Sequence, residues 1–337
     1  MNRRIAVCAG IAFAILIFFC SNLFFGSVSI PSLAVMDILL GRSVEKAVWT
    51  DIVLRFRLPQ ALTALLAGPA LAVCGLMLQT LFKNPLAGPS ILGISNGANL
   101  GVAFVMLYSG GFLVHSGWFF HLSVVFSAFL GALLILMLIL YFSYRIRSNV
   151  LVLIIGIMVG YLASSAISVL NAYASADNVR AYVMWGMGNF SGVQQNQLPF
   201  YSACILFGLC CSVLLIKPLN ALLLGENYAM NLGVNIKRSR ITILAVTGLL
   251  TAVVTAFCGP ISFIGMAVPH LSRLALGTSN QKILLPVTLL TGAAFALFCN
   301  LLTLIPFGSG LLPLNAVTPL LGAPIVIYVI LCQRNIR

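Results

Sequence analysis

Side chains that could carry out bond chemistry are few and scattered in this chain of 337 residues. It has five acidic residues, three histidines and nine cysteines. No group of them has the spacing of metal ligands, and no motif combines a nucleophile, a base and an orienting residue. The chain lacks even a Gly-Lys dipeptide, so it contains no Walker A loop for nucleotide phosphates. We therefore predict that the chain is not an enzyme and holds no cofactor.

The composition instead predicts a membrane protein. Hydrophobic residues make up 61% of the chain and charged residues only 7%, whereas a soluble domain carries about 25% charged residues. Backbone groups in lipid must be satisfied internally, which restricts the fold to helix bundles or closed barrels. The apolar runs are continuous rather than alternating, so we predict an all-α polytopic protein forming one domain over residues 1–337.

The apolar runs suffice for about ten spans of roughly 20 residues each. We place them at 5–25, 59–82, 89–108, 118–144, 149–171, 194–216, 241–258, 260–276, 283–304 and 314–332. We read the first as an uncleaved span rather than a signal peptide, because its apolar run is long for one.

The formal net charge of +13 would suggest nucleic acid in a soluble protein, but here it describes topology. With the N-terminus inside, all but five of the basic residues fall inside, as the positive-inside rule requires. Those on the outside are Arg42, Lys46, Arg55, Arg57 and Arg180. Glu226 is the one acidic residue placed inside. We therefore predict two cytoplasmic termini and no nucleic-acid partner.

The stretch QTLFKNPLAGPSILGISNGANLG (79–101) is unusually rich in glycine, proline, serine and asparagine. Gly93, Gly97 and Gly101 recur at every fourth position, a spacing that lets helix backbones approach closely in lipid. Before them, the two prolines of 84–89 interrupt any helix. Irregular backbone at this depth suits a cavity lining, but composition alone equally allows an ordinary turn between two spans.

Several long motifs support the cavity interpretation. RLPQALTALLAGPALAVCGLMLQTLFKNPLAGPSILGISNGANLG (57–101) and GPISFIGMAVPHLSRLALG (259–277) closely resemble permeases of the FecCD type, which serve ABC importers of iron-siderophores, haem and vitamin B12. LLLGENYAMNLGVNIKRSR (222–240) and LGAPIVIYVI (321–330) resemble the same family. The resemblance implies a BtuC-like fold with ten spans, and it makes the turn at Asn84, Pro85 and Leu86 a candidate cytoplasmic gate.

Residues 217–240 form the long inside loop, which resembles the family's ATPase-coupling segment. We expect two short helices there, separated at Leu224, Gly225 and Glu226, with Leu232 and Gly233 at the second boundary and Gly233 as a C-cap. Glu226 would suit a docking contact with the ATPase. The alternative is a solvated connection that only carries the positive-inside signal.

A small and increasingly polar pattern runs along the fifth span at Gly156, Gly160, Ser164 and Ser168, with Ser165 alongside. It could be a close-packing stripe. In the family, the fifth and tenth spans line the pathway between two permease subunits, so the resemblance implies a pathway wall here. The candidate pathway residues are Gly160, Ser164, Ser165, Ser168, Asn315 and Thr318.

The outer face should meet a binding protein whose docking lobes in this family typically carry acidic residues. We expect Arg57, in the RLP motif, and Arg55 to provide basic contacts; the alternative is that both only anchor the second span. Several positions depart from the family pattern. Gln60, Asn300, Leu304 and Leu311 stand where charged residues are common, so contacts cannot be copied closely from other members.

The three histidines do not form a site. His115 and His121 fall near the outer mouth, where they could touch a metal-bearing substrate or be solvated or structural. His270, in the family-like VPH motif, is expected to make a helix-packing hydrogen bond.

Together these features predict a permease subunit of an ABC importer in the bacterial inner membrane, moving an iron chelate, haem or a corrinoid. The expected partners are ATP-binding cassette ATPase subunits, a periplasmic substrate-binding protein and a second permease subunit. No acidic residue lies within a predicted span, which counts against the alternative, an ATPase-independent secondary transporter.

Overall fold

The protein is a bundle of α-helices in a computed structural model that describes residues 2–108, 117–146, 148–304, 306–307 and 310–334. The first half comprises α1 (Asn2–Phe24), α2 (Ser32–Leu39), α3 (Ala47–Asp51), α4 (Leu58–Phe82), α5 (Ile94–Ala103), α6 (Gly117–Arg145), α7 (Asn149–Tyr173) and α8 (Ala176–Gly186). The second half comprises α9 (Leu198–Leu214), α10 (Ile216–Leu223), α11 (Glu226–Asn231), α12 (Ile236–Cys258), α13 (Ile264–Leu276), α14 (Gln281–Thr303) and α15 (Leu314–Arg334). Two-residue strands, β1 (Pro306–Phe307) and β2 (Gly310–Leu311), pair antiparallel before α15.

Most predicted spans correspond to helices that are long and apolar enough to cross a membrane. Within the described ranges there are six such helices, or seven if α9 and α10, bent by 50°, form one span. Two shorter apolar helices cover Ile94–Tyr108 and Leu314–Val329. The helical membrane fold is confirmed, whereas the count of ten stays a prediction. The segment predicted at 260–276 contains the 13-residue helix α13, which at 1.5 Å per residue is shorter than a bilayer core of about 30 Å.

Helix α4 lies at the centre of the bundle and contacts α14, α13, α12 and α9. Its backbone touches two neighbours directly at glycines. A Cβ atom at Gly75 would overlap the carbonyl group of Gly265 in α13, and one at Gly68 would overlap that of Gly292 in α14. Lipid supplies little hydrophobic driving force between helices, so these close backbone contacts hold the centre together.

Two of the three glycines in the predicted pattern pack along one face of α5, as expected. Gly97 and Gly101 lie against the backbone of α6 at Gly131 and Ser127. Gly93, left-handed at φ 75°, sits against α7 instead. The segment after the prolines is therefore clamped between α6 and α7.

Helix ends that were predicted to share one side of the membrane do contact one another. At the inner side, the end of α4 hydrogen-bonds to the start of α7, and the start of α14 hydrogen-bonds to α10 and α4. At the outer side, the end of α1 contacts the end of α14 and the start of α4. These contacts agree with the alternating topology derived from charge.

We predict that Gly75→Ala lowers the thermal unfolding midpoint of the purified protein by several degrees. The added methyl group must push α4 and α13 apart, and overpacking a core costs about 1–3 kcal/mol. Gly10→Ala in α1 is the matched control, because a Cβ atom there has no neighbour within 4 Å. Equal midpoints for the two variants in detergent would contradict the backbone contact between α4 and α13.

Candidate functional site

The segment predicted to couple to an ATPase, residues 217–240, includes two short helices, α10 and α11, separated by Leu224 and Gly225. Gly225 has a φ of 114°, a conformation that favours glycine. α11 ends at a full Schellman motif, in which Val234 N donates to Ala229 O and Gly233 N donates to Met230 O. Gly233 has a φ of 80°, so the predicted C-cap role is confirmed.

Large apolar side chains project from this segment into solvent. Leu224 is 65% exposed, and its neighbours Tyr228, Met230 and Leu232 are each more than half exposed. Tyr228 and Met230 were not predicted from the sequence. They flank the buried Ala229 in α11, and both are exposed. Exposed apolar clusters of this kind mark interaction surfaces.

Glu226 differs from the prediction, because its carboxylate is directed at this chain rather than outward. Oε1 accepts a hydrogen bond from Asn149 Nδ2 at 2.5 Å and lies 3.6 Å from Arg240 Nη2. Arg240 is only 4% exposed, and its Nη1 also donates to Ile146 O. The expected docking contact of Glu226 is therefore corrected to an internal link between α11, α7 and α12.

The candidate gate follows α4 directly. Lys83 ends that helix in a left-handed conformation at φ 47°, and Asn84 Oδ1 then accepts from Leu86 N in a tight turn. His270 of α13 donates from Nε2 to Pro85 O at 2.8 Å. His270 thus makes the predicted packing bond, and it does so to the turn itself, while Leu86 remains exposed.

A second contact secures the turn to α13. Gln79 Nε2 donates to Met266 O, and Gln79 Oε1 accepts from Arg273 Nη1 at 2.8 Å. The turn and the last residues of α4 are therefore held by α13 through side chains, rather than by backbone overlap as at Gly75.

The candidate pathway residues divide into two groups. Ser164, Ser165 and Ser168 are exposed on the outer half of α7, where Ser168 Oγ donates to Ser164 O. Gly160, in contrast, is buried against Gly93 and Asn96 of α5. The four-residue spacing does not follow one face, because each step of four turns the helix about 40° beyond a full revolution. Gly160 is thus corrected from the pathway to a packing contact.

The two pathway candidates in α15 are also corrected. Asn315 Nδ2 donates to Gly186 O and Pro260 O, and its Oδ1 accepts from Ser262 N. Thr318 is buried and donates to Leu314 O in its own helix. Asn315 therefore joins three chain segments at the outer end of the bundle, and neither side chain is free to line an open conduit.

The two arginines predicted to dock a binding protein are placed very differently. Arg57 is 6% exposed, and its guanidinium donates to Leu23 O, Phe24 O and Val28 O. This geometry contradicts a docking contact, because the donors are already used to hold the chain that leaves α1. Arg55 is exposed and pairs with Asp51 at 3.0 Å.

Arg55 borders an outer groove of about 650 Å³. The residues that line it are Arg55, Phe56, Ser191, Val193, Gln194, Gln195 and Asn196. The groove is open and largely uncharged, and amide and hydroxyl groups of the loop before α9 form one wall.

Two departures from the family pattern contact each other. Gln60 Nε2 donates to Asn300 Oδ1 at 3.0 Å, and Asn300 Nδ2 donates to Asn22 Oδ1 at 2.6 Å. A neutral chain of amides thus joins α4, α14 and α1. Of the other two departures, Leu304 is the C-cap residue of α14, and Leu311 lies in β2.

The histidines and cysteines form no metal site in the described part of the chain, where no group of three or more His, Cys, Asp or Glu side chains could hold an ion. His121 is half-buried in α6. His115 lies outside the described residues.

Comparisons with known proteins agree with the motifs. A model of the FecCD transport family matches residues 14–332. The vitamin B12 import system permease protein BtuC of Klebsiella pneumoniae subsp. pneumoniae is 37% identical over 281 residues, covering 83% of this chain and 82% of the relative. BtuC of Salmonella typhimurium is 36% identical over 279 residues, covering 82% of each. An inward-facing structure of a metal-chelate type ABC transporter superimposes with a TM-score of 0.82 at 28% identity, covering 96% and 99% of the two chains.

We predict that Arg57→Ala lowers the thermal unfolding midpoint, whereas Arg55→Ala leaves it unchanged. Losing the guanidinium leaves three carbonyls unpaired, and a buried unpaired group costs about 1–3 kcal/mol. The exposed pair of Arg55 and Asp51 is worth only about 0–1 kcal/mol. An unfolding midpoint for Arg57→Ala equal to that of Arg55→Ala would show that the carbonyl contacts contribute nothing to stability.

Proposed function

Because the chain belongs to the FecCD transport family, we propose that it is the permease subunit of a bacterial ABC importer for an iron chelate, haem or a corrinoid. It is a multi-pass protein of the inner membrane and a transport subunit rather than an enzyme. In the proposed assembly two ATPase subunits bind the cytoplasmic face, a substrate-binding protein binds the periplasmic face, and a second permease subunit completes the pathway.

The observation that carries the proposal is the shape of the coupling segment. α11 is begun and ended by glycines with positive φ, and Tyr228 in the helix and Leu224 and Leu232 at its two ends are exposed. A solvated connection would have no reason to expose three large apolar side chains in and beside a capped helix. An ATPase subunit would bury them, and Gly225 and Gly233 would fix the orientation of the helix against it.

The outer half of α7 fits a pathway between two subunits. Ser164, Ser165 and Ser168 are exposed on a helix that is predicted to lie within the membrane. Ser168 donates to Ser164 O within the helix, but lipid offers the hydroxyl groups of Ser164 and Ser165 no hydrogen-bond partner. A face of this kind therefore favours a protein interface or a water-filled cavity. A second permease subunit facing α7 would provide both. The short hydroxyl side chains would contact a bulky substrate without holding it tightly.

The turn at Asn84, Pro85 and Leu86 is proposed as the cytoplasmic gate. It carries an exposed apolar side chain at its tip and is fixed to α13 by the hydrogen bond from His270 to Pro85 O. Because the turn joins α4 to α5 and is irregular, it can shift without breaking a regular helix.

The substrate class rests on relatives. Two of them are vitamin B12 permeases by name, and the solved structure is of a metal-chelate type transporter. The outer groove beside Arg55 is the proposed docking site of the binding protein, with Arg55 as its one basic side chain. Transport of iron-siderophore, haem and cobalamin by the reconstituted complex separates the three candidates.

We predict that Leu224→Asp prevents co-purification of the ATPase with the tagged permease from membranes and abolishes substrate-stimulated ATP hydrolysis. A buried charge without a partner opposes association strongly. Leu40→Asp is the matched control, because Leu40 is 64% exposed but lies on the outer segment; it should leave both measurements unchanged.

Two results would contradict the proposal. One is a Leu224→Asp permease that retains the ATPase and its stimulation. The other is a wild-type permease that purifies without an ATPase and still transports after ATP depletion, which would indicate the secondary transporter.

A further inference from the structure

One amide side chain connects the proposed ATPase-docking helix with the proposed gate. Asn149, the first residue of α7, donates from Nδ2 to two acceptors. One is Leu81 O at 3.1 Å, near the end of α4, and the other is Glu226 Oε1 at 2.5 Å, at the start of α11. Three segments that are far apart in the sequence therefore meet at a single group.

Each end of this link has a specific structural role. Leu81 O is one of the last carbonyls of α4, which have no partner within their own helix. Two residues later, Lys83 adopts the left-handed conformation that ends α4 and begins the gate turn. On the other side, Glu226 follows Gly225 directly and begins the helix that carries Tyr228.

The link is stiffened by a buried charge. Arg240, at the start of α12, lies 3.6 Å from Glu226 Oε1 and donates to Ile146 O at the end of α6. The side chain of Glu226 is 37% exposed, whereas the side chain of Arg240 is almost completely buried. Moving Glu226 away from this position would break its ion pair with a buried guanidinium, which favours one defined position of α11 relative to α12 and α7.

The coupling segment meets the bundle at another polar contact that does not involve the gate. Asn220 of α10 donates to Asn280 Oδ1 and accepts from Gln281 N at the start of α14. This contact uses the same side chain type and also two hydrogen bonds. Asn220 itself bonds neither α4 nor α7, and it reaches α4 only through Gln281, whose side chain donates to Thr80 Oγ1. The molecule therefore provides an internal comparison for the contact at Asn149.

We propose that Asn149 is a positioning residue that makes the gate and the pathway helix α7 follow the coupling segment when the ATPase moves it. The inference rests on the proposed function. A displacement of α11 shifts Glu226, and the shared amide transmits that shift to the end of α4 and the start of α7 together. Asn149 contacts neither nucleotide nor substrate in this scheme. Its role is to couple ATP hydrolysis to gate movement.

The test is the amount of substrate transported per ATP hydrolysed by the full reconstituted complex. Asn149→Ala removes both hydrogen bonds, so we expect transport per ATP to fall at least about fivefold, a typical lower size for coupling between sites. ATP hydrolysis and co-purification of the ATPase should persist, because the apolar docking surface is unchanged. Asn220→Ala is the matched control and should leave the ratio near that of the wild type.

Two further variants separate the hydrogen bond from the ion pair. Glu226→Gln keeps an oxygen acceptor for Asn149 while removing the charge that faces Arg240, so transport per ATP should fall less than in Glu226→Ala. Glu226→Ala removes the acceptor and should lower the ratio as Asn149→Ala does. Both alanine substitutions remove the same hydrogen bond between Asn149 and Glu226. The double variant Asn149→Ala/Glu226→Ala should therefore lower transport per ATP no further than the more damaging single substitution.

The inference is overturned if Asn149→Ala transports as much per ATP as the wild type, or if Asn220→Ala loses as much as Asn149→Ala. If Asn149→Ala does not assemble, the nearly isosteric Asn149→Asp takes its place, since it lacks the amide donors and faces the Glu226 carboxylate. Failure of both to assemble would make Asn149 a folding residue and also overturn the inference. In each of these cases an ATPase that still binds the wild-type permease leaves the proposed function intact.

Discussion

Polar groups inside this bundle can be satisfied only by the chain itself, because the surrounding lipid offers neither donors nor acceptors. That constraint explains where most of the unusual side chains lie. Arg57 donates to three carbonyls at and after the end of α1. Asn315, at the start of α15, donates to carbonyls at the end of α8 and in the loop before α13. Asn149 donates a hydrogen bond to a terminal carbonyl of α4. Each of these side chains lies at a helix end, where backbone groups lack intrahelical partners, so together they determine how successive helices meet.

The same constraint explains which parts of the molecule could be predicted from the sequence. Continuous apolar runs and the distribution of basic residues predicted the helical bundle and the sides on which helix ends meet. Gly97 and Gly101 were correctly interpreted as a packing face, since small residues have few other uses in a membrane helix. Gly233 was correctly interpreted as a C-cap, because a glycine directly after a short helix is the residue that most readily adopts the left-handed conformation. These features depend on local sequence or on composition.

Local sequence and composition could not reveal the roles of four polar residues, namely Arg57, Glu226, Asn315 and Thr318. A polar residue near a helix end looks the same in the sequence whether it faces solvent, a partner protein or the carbonyl of a distant segment. The partners of Arg57 are about thirty residues away, and Glu226 is paired with residues of α7 and α12. Only the packing of the helices decides between these possibilities. For Gly160 the error was geometric, because a spacing of four drifts around the helix and leads from a packing face at Gly156 to an exposed one at Ser168.

The middle and the ends of α4 are restrained in different ways, and this difference suits the gate proposed at its inner end. Its middle is fixed by backbone overlap at Gly68 and Gly75, which leaves no room for sliding. Its outer end is fixed by the buried Arg57 and by the amide contact between Gln60 and Asn300. Beyond Gly75, the buried inner end is packed in the core and also makes individual side-chain hydrogen bonds to α13, α7 and α14, which can break and re-form singly. Well-packed cores switch between discrete arrangements rather than deforming continuously. Movement at the gate should therefore arise where replaceable hydrogen bonds, rather than glycine contacts, hold α4 to its neighbours.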